Sequence, residues 1–269
     1  MKDSLLSWEE AVSWLKQQPD QAELVHACFY DDPLLAAAER YAASDEWRAV
    51  RVLLPAPSGT ALDVGAGRGI STFALARDGW DAVALEPNGS MIVGAGAIRS
   101  LAAEAGLHIE VVEEWGEKLP FIDNRFDVVH CRQVLHHAKN LPQLCREIGR
   151  VLKPGGTFIA TREHVISRHE DLDAFLAGHP LHKLYGGENA YLLQEYLDAI
   201  RGGDIMLTAI LNPYQSNINL YPETVAGLKR RIAAKLHVPN IPIPDIALGW
   251  LGNMSKVPGR LFTFVGRKL

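Results

Sequence analysis

The feature that most constrains this chain is an apolar run that breaks into alternating glycines: Ala61-Leu62-Asp63-Val64-Gly65-Ala66-Gly67-Arg68-Gly69. Glycines at 65 and 67 carry no Cβ, so the backbone can turn sharply there and a ligand can lie against it. The helix that follows from Ile70 presents free amide donors at its N-terminus. A glycine cluster alone is also compatible with a plain tight turn, so its surroundings decide. After the helix from Ile70, short apolar strands and helical stretches alternate: Ala82–Glu86 and a helix from Ser90, Ile109–Glu113, Phe126–Cys131, a helix near Leu141–Leu152, and Thr157–Arg162. Such alternation is the pattern of a doubly wound parallel sheet.

Residues 1–58 read as helices, with apolar positions three and four apart in Leu5-Trp8-Val12-Leu15 and Leu35-Ala38-Tyr41, ending at Pro55, Pro57 and Gly59. Beyond Arg162 the rhythm changes. A long segment to Gly187 precedes a helical stretch around Glu188–Ile200 and a strand at Ile205–Leu211. A second insertion, Asn212–Gly259, holds a helix at Glu223–Leu236 and the proline-rich run Val238–Asp245, which covers an acceptor or packs on the sheet edge. Arg260–Val265 closes the chain as a strand. The expected architecture is an α/β Rossmann-like, doubly wound, seven-stranded sheet with an antiparallel edge strand, N-terminal helices and a C-terminal cap insertion. It divides into a helical segment 1–58, a core 59–165, and a part 166–269 carrying the remaining strands and cap insertions.

Hydrophobic residues make up 48% of the 269-residue chain, enough to bury a substantial core without staples. With 27 Lys+Arg against 32 Asp+Glu, the net charge of −5 offers no field for holding a polyanion, which argues against a nucleic-acid partner. The opening from Met1-Lys2-Asp3 to Glu9-Glu10 lacks the order of a signal peptide, and no uninterrupted apolar run reaches spanning length, so a cytoplasmic protein without a membrane span is expected. Cys28, Cys131 and Cys145 are unclustered, and of the ten histidines only His136 and His137 adjoin, as helix neighbours that do not face one another. No metal site is expected.

Glu86 closes the second strand, where a βαβ unit places an acid whose two oxygens accept from ribose hydroxyls; a solvated strand-end acid is the alternative. The Gly-x-Gly-x-Gly spacing departs from the G-x-G-x-x-G that receives a dinucleotide pyrophosphate, which leans away from NAD. Taken together, Leu62 through Gly69, Leu85-Glu86-Pro87, Leu119-Pro120-Phe121, Phe126-Asp127-Val128-Val129 and Arg150-Val151-Leu152-Lys153-Pro154-Gly155-Gly156 resemble the successive motifs of class I S-adenosylmethionine-dependent methyltransferases of the small-molecule, type 11 group. The resemblance spans roughly residues 59–165.

It implies S-adenosyl-L-methionine as cofactor. Asp63 and the backbone of Gly65, Ala66 and Gly67 would meet its methionine moiety, Glu86 its ribose, and Pro87 with Met91 its adenine. Cys131 and Arg132 would pass near the sulfonium, although Cys131 also reads as a small buried thiol. Where such families place Asp-Ala after the third strand, this chain has Glu114-Trp115-Gly116. Trp115 then stacks on the purine or simply packs on the core, and an acid contact would fall to Glu114 or Glu117.

Transfer to a hydroxyl needs a base, and His164, His136 and Glu163 are the catalytic candidates, with His164 preferred; His136 and His137 also read as structural. Tyr41 is read equally as cofactor contact or helix packing. Acceptor specificity is expected in residues 162–259, where Glu163, His164, His182 and Tyr185 supply polar groups and the segment His179–Asn189 reads as a lid or a solvated connection. The expected activity is methyl transfer to a small molecule, at oxygen before nitrogen or carbon. The alternative is a regulatory or scaffold protein that binds the cofactor without transfer.

Overall fold

The computed structural model describes residues 5–237 and 242–269. The first four residues, and the first four of the proline-rich run Val238–Asp245, lie outside them. Among the described residues, eight strands form one sheet: β1 (Thr60–Val64), β2 (Asp81–Leu85), β3 (Ile109–Val112), β4 (Phe126–Arg132), β5 (Leu152–Ile166), β6 (Tyr191–Leu192), β7 (Ile205–Leu211) and β8 (Arg260–Lys268). Seven run in the order β3-β2-β1-β4-β5-β8-β7, and the two-residue β6 pairs with β5 off that path. β1 to β5 pair in parallel, while β8 is antiparallel to both β5 and β7.

Helices cover both faces of the central strands, so nearly every residue there must be apolar. Leu62, Val64, Val83 and Val129 point into one core with Ile148 and Tyr196, and Ala61, Ala82 and Val128 point into the other with Phe73, Leu75 and Trp47. Helix ends follow local chemistry. Ser7 and Glu10 form a capping box that starts helix Trp8–Lys16, and the Asn140 side chain accepts from the Gln143 amide at the start of Leu141–Val151.

β5 and the helix after β2 differ from the sequence reading. β5 begins at Leu152 and runs past Arg162 to Ile166, because the register against β8 shifts between Ala160 and Glu163 and Arg162 takes a left-handed φ of 60°. That bulge absorbs the irregularity and lets the strand continue, so Arg162, Glu163 and His164 lie on the strand. After β2 the helix starts at Ala95, not Ser90. The Asn88 side chain takes the Ser90 amide at 2.9 Å and the Ser90 hydroxyl takes the Ile92 amide at 3.0 Å. Such side-chain bonds offer the backbone an alternative to the helix.

Among the described residues no helix is long and apolar enough to cross a membrane. The second insertion folds on itself and against the N-terminal helices: Asn212 Nδ2 donates to the Gly249 carbonyl at 2.7 Å, and Tyr221 stacks on Phe29 with ring centroids 5.4 Å apart.

Candidate cofactor and acceptor site

A cavity of about 460 Å³ opens at the carboxyl ends of the parallel strands, the crevice where ligands of such sheets bind. Its wall includes Asp63, Gly65, Ala66, Gly67, Glu86, Pro87, Trp115, Gly116, Arg132, His136 and His164. The N-terminal segment adds Trp8, Leu24, Phe29 and Tyr30, and the first insertion adds His179, Leu181, Tyr185 and Glu188. Among the described residues none beyond Glu188 lies on this wall, so the cap is built from the N-terminal segment and the first insertion. The described residues of the second insertion, expected to close over the crevice, do not line it.

The glycine turn fits a ligand laid against it. Gly67 has a φ of 55°, and a Cβ there would meet nothing within 4 Å; at Gly65, φ 62°, it would strike the Val134 side chain at 2.8 Å. Glu86 is buried at the turn's edge, with one oxygen accepting from the Gly67 amide at 2.8 Å and the other from the Asn88 amide at 3.0 Å. Each oxygen keeps a second lone pair for a hydroxyl. Burial raises its pKa, against the two amides that lower it. Asp63 accepts from Thr72 Oγ1 at 2.7 Å and faces His130 Nδ1 at 2.8 Å, so this carboxylate is fixed before any ligand arrives.

Several expected contacts move. Met91 is 69% exposed and off the wall, because the longer loop after β2 carries it outward. Glu114 also stands off the wall and accepts from the Trp115 amide at 2.9 Å. Trp115 is not in the core: it sits at the cavity mouth, 59% exposed, with the Lys139 ammonium 5.2 Å from its ring centroid. Cys131 is fully buried in the core, where burial first and then Glu163 push its thiol pKa well up. Tyr41 is likewise core, packed on Phe29 and Trp47. Arg132 reaches the wall but is held by Glu46, with Nε to Oε1 at 2.7 Å and Nη2 to Oε2 at 3.0 Å.

At the other end of the cavity lies a histidine and carboxylate cluster. Glu163 is buried beneath it and accepts the amides of Val134, Leu135 and His136 at 3.0–3.1 Å, with His136 Nδ1 at 2.7 Å. It is absent from the wall and holds the His136 ring from behind. His136 Nε2 lies 3.6 Å from Glu188 Oε2, and Tyr185 donates to Glu188 Oε1 at 2.7 Å. Burial opposes charge on His136, yet Glu163 and Glu188 lift its pKa to about 9. Burial and the His136 charge lower His164 to about 3 and His137 to about 4. At neutral pH, then, His136 carries a proton while His164 and His137 are neutral; the low basicity of His164 suits a hydrogen-bond acceptor better than a proton store. His182 stands off the wall.

Sequence reasoning missed three residues. Arg68, buried in the glycine turn, donates to the Phe29 and Asp31 carbonyls at 3.1 Å each and to Asp32 Oδ1 at 2.5 Å, tying the N-terminal segment over the cavity. The available signal was a cation among glycines with an acid pair upstream. Glu188 follows Gly186-Gly187 within ten residues of His179 and His182, an acid near two imidazoles. Glu46 gave no signal, since a helical Glu ordinarily reads as solvated.

Residues 62–160 match the family model described as a methyltransferase domain. A ubiquinone biosynthesis O-methyltransferase of Azorhizobium caulinodans is 33% identical over 111 residues, 41% of this chain and 43% of that protein. The ubiquinone/menaquinone biosynthesis C-methyltransferase of Brucella canis is 37% identical over 108 residues, 38% of this chain and 39% of that protein. The matched stretches thus span less than half the length of these relatives. The solved geranyl diphosphate C-methyltransferase from Streptomyces coelicolor A3(2), in complex with Mg2+, geranyl diphosphate and S-adenosyl-L-homocysteine, superposes with a TM-score of 0.62 at 14% identity, covering 95% of this chain and 88% of that one. That likeness establishes a common fold. Residues 62–160 thus match a methyltransferase domain, and the chain as a whole shares the fold of a solved methyltransferase.

Proposed function

We propose that this chain transfers the methyl group of S-adenosylmethionine to a small-molecule acceptor, at an oxygen. The observation that carries the reading is a single cavity that runs from the glycine turn and Glu86 to the buried histidine and carboxylate cluster. Its volume falls in the range of small-molecule sites, roughly 300–1,000 Å³. The bound cofactor supplies a methyl group already activated on a sulfonium. Residues 59–165 hold it: Glu86 accepts from the ribose hydroxyls while keeping its two amide bonds, the Gly67 backbone admits the amino-acid portion, and Pro87 with Trp115 flanks the purine.

The cap reads the acceptor. Neutral His164 and His137 accept from a hydroxyl and pass its proton on to solvent as the methyl is transferred, Glu163 fixes the His136 ring, and the segments 8–30 and 179–188 shield the sulfonium and fix the approach of the nucleophile. The named relatives include both an O- and a C-methyltransferase. Imidazoles placed to accept from a hydroxyl favour oxygen. The net charge of −5 supports a small molecule over a nucleic acid.

The test incubates the protein with methyl-labelled S-adenosylmethionine and a low-molecular-weight cell extract. The expected outcome is label in a small product, with the new methyl bonded to oxygen by NMR and one equivalent of S-adenosylhomocysteine released. A methyl on carbon would overturn the choice of atom. A folded protein that binds S-adenosylhomocysteine yet labels nothing would favour a binding role without transfer.

A further inference from the structure

We propose that His136, His164 and Glu188 form a binding site for a divalent first-row transition-metal ion at the acceptor end of the cavity. One ligating atom from each residue lies within 4.8 Å of the others. His136 Nε2 is already 3.6 Å from Glu188 Oε2. Ligand atoms arranged as a tetrahedron about 2.1 Å from an ion are roughly 3.4 Å apart, so side-chain closure of about an ångström completes the site.

The outer contacts orient the donors. His164 Nδ1 lies 2.8 Å from the Gly259 carbonyl, which can only accept; Nδ1 therefore carries the hydrogen, and the neutral ring keeps its lone pair on Nε2. His136 Nδ1 faces Glu163, whose oxygens already take three backbone amides, and this turns Nε2 inward, where a binding ion displaces the proton that His136 otherwise carries. An Nδ1–H held by a carboxylate or carbonyl, with Nε2 free, is how metal-binding histidines are ordinarily fixed. Tyr185 holds Glu188 Oε1 and leaves Oε2 facing the imidazoles.

Two further groups converge on the same carboxylate. His137 repeats the pattern, with Nδ1 3.0 Å from the Gly187 carbonyl and Nε2 3.9 Å from Glu188 Oε2. His179 Nδ1 is buried without a hydrogen-bond partner, 3.8 Å from Glu188 Oε1.

The expectation of no metal site treated His136 and His137 as helix neighbours facing apart. They lie instead on the tight turn Leu135–His137, with ring centroids 4.2 Å apart. Imidazole nitrogens with one carboxylate suit Zn2+, Fe2+, Co2+ or Ni2+, whereas Mg2+ and Ca2+ prefer all-oxygen shells. Three protein ligands leave a position open toward the cavity; with the ion bound, the His164 lone pair is taken and His137 alone remains to accept from the hydroxyl. The acceptor class that fits it is a small molecule offering a hydroxyl or carbonyl oxygen as ligand, an extension that rests on the methyltransferase reading, whereas ion binding does not.

The experiment titrates metal-stripped full-length protein with Co2+, followed by its visible absorption, then competes with Zn2+ and separately with Mg2+. Expected are one ion per chain, displacement by Zn2+ at micromolar levels and none by Mg2+. Glu188→Gln and His164→Ala should each weaken binding at least tenfold while still unfolding cooperatively. If one variant fails to fold, the other decides. Absence of a one-to-one Co2+ complex, or undiminished binding in the folded variants, would overturn the site. S-adenosylhomocysteine is titrated in parallel: cofactor binding without Co2+ uptake removes the metal site alone, and Co2+ uptake without cofactor binding supports the site while counting against the methyltransferase reading.

Discussion

Glu86→Ala is expected to lower the affinity for S-adenosylhomocysteine by at least tenfold and to leave the protein folded. Each hydrogen bond from a hydroxyl to a buried carboxylate is worth roughly 1.5–3 kcal/mol, and about 1.4 kcal/mol corresponds to tenfold in affinity. The variant also frees the Gly67 and Asn88 amides that Glu86 now holds at 2.8 and 3.0 Å, so the glycine turn loses its tie to the loop after β2. Glu86→Gln keeps the size and one acceptor oxygen, and its affinity should fall between the two. Calorimetry on both variants, beside circular dichroism, checks this. Unchanged affinity in a folded Glu86→Ala would move the ribose contact to another residue.

The largest stability effect is expected at Glu46. It is fully buried and holds Arg132 through two bonds at 2.7 and 3.0 Å, with Arg162 Nη1 at 3.9 Å. The Arg132 guanidinium also lies over the Tyr41 ring, 5.3 Å from its centroid. Removing one partner of a buried pair leaves an uncompensated charge and costs about 3–5 kcal/mol, whereas replacing both with apolar groups is often near neutral. Glu46→Ala should therefore lower the denaturant midpoint strongly, and adding Arg132→Met should restore much of the loss. If the double variant is as unstable as the sum of the two single ones, the pair does not act as a unit.

How much of this was legible in the sequence depends on the range of the forces involved. The parallel strands were readable because burial on both faces forces nearly continuous apolar runs, as in Ala61-Leu62 and Val128-Val129. Gly65, Gly67 and Glu86 were readable because a turn, a helix start and a strand end fix their relative places locally. Misreadings came where side chains override local pattern: the Asn88 and Ser90 bonds delay a helix, and the bulge at Arg162 prolongs a strand. The acceptor end was the least legible part. His136 and Glu188 lie far apart in the chain and meet only because Glu163 pins the turn Leu135–His137 with three amide bonds. Likewise, nothing periodic announces that Arg68 reaches the Phe29 and Asp31 carbonyls and makes the N-terminal segment part of the roof.

The central claim is that the glycine turn and Glu86 receive S-adenosylmethionine and not a dinucleotide. Isothermal titration of the intact chain with S-adenosylhomocysteine and, separately, with NAD tests it most directly. One-to-one binding of S-adenosylhomocysteine at micromolar strength or tighter, and no heat from NAD, is expected. Micromolar binding of NAD with no response to S-adenosylhomocysteine would contradict it.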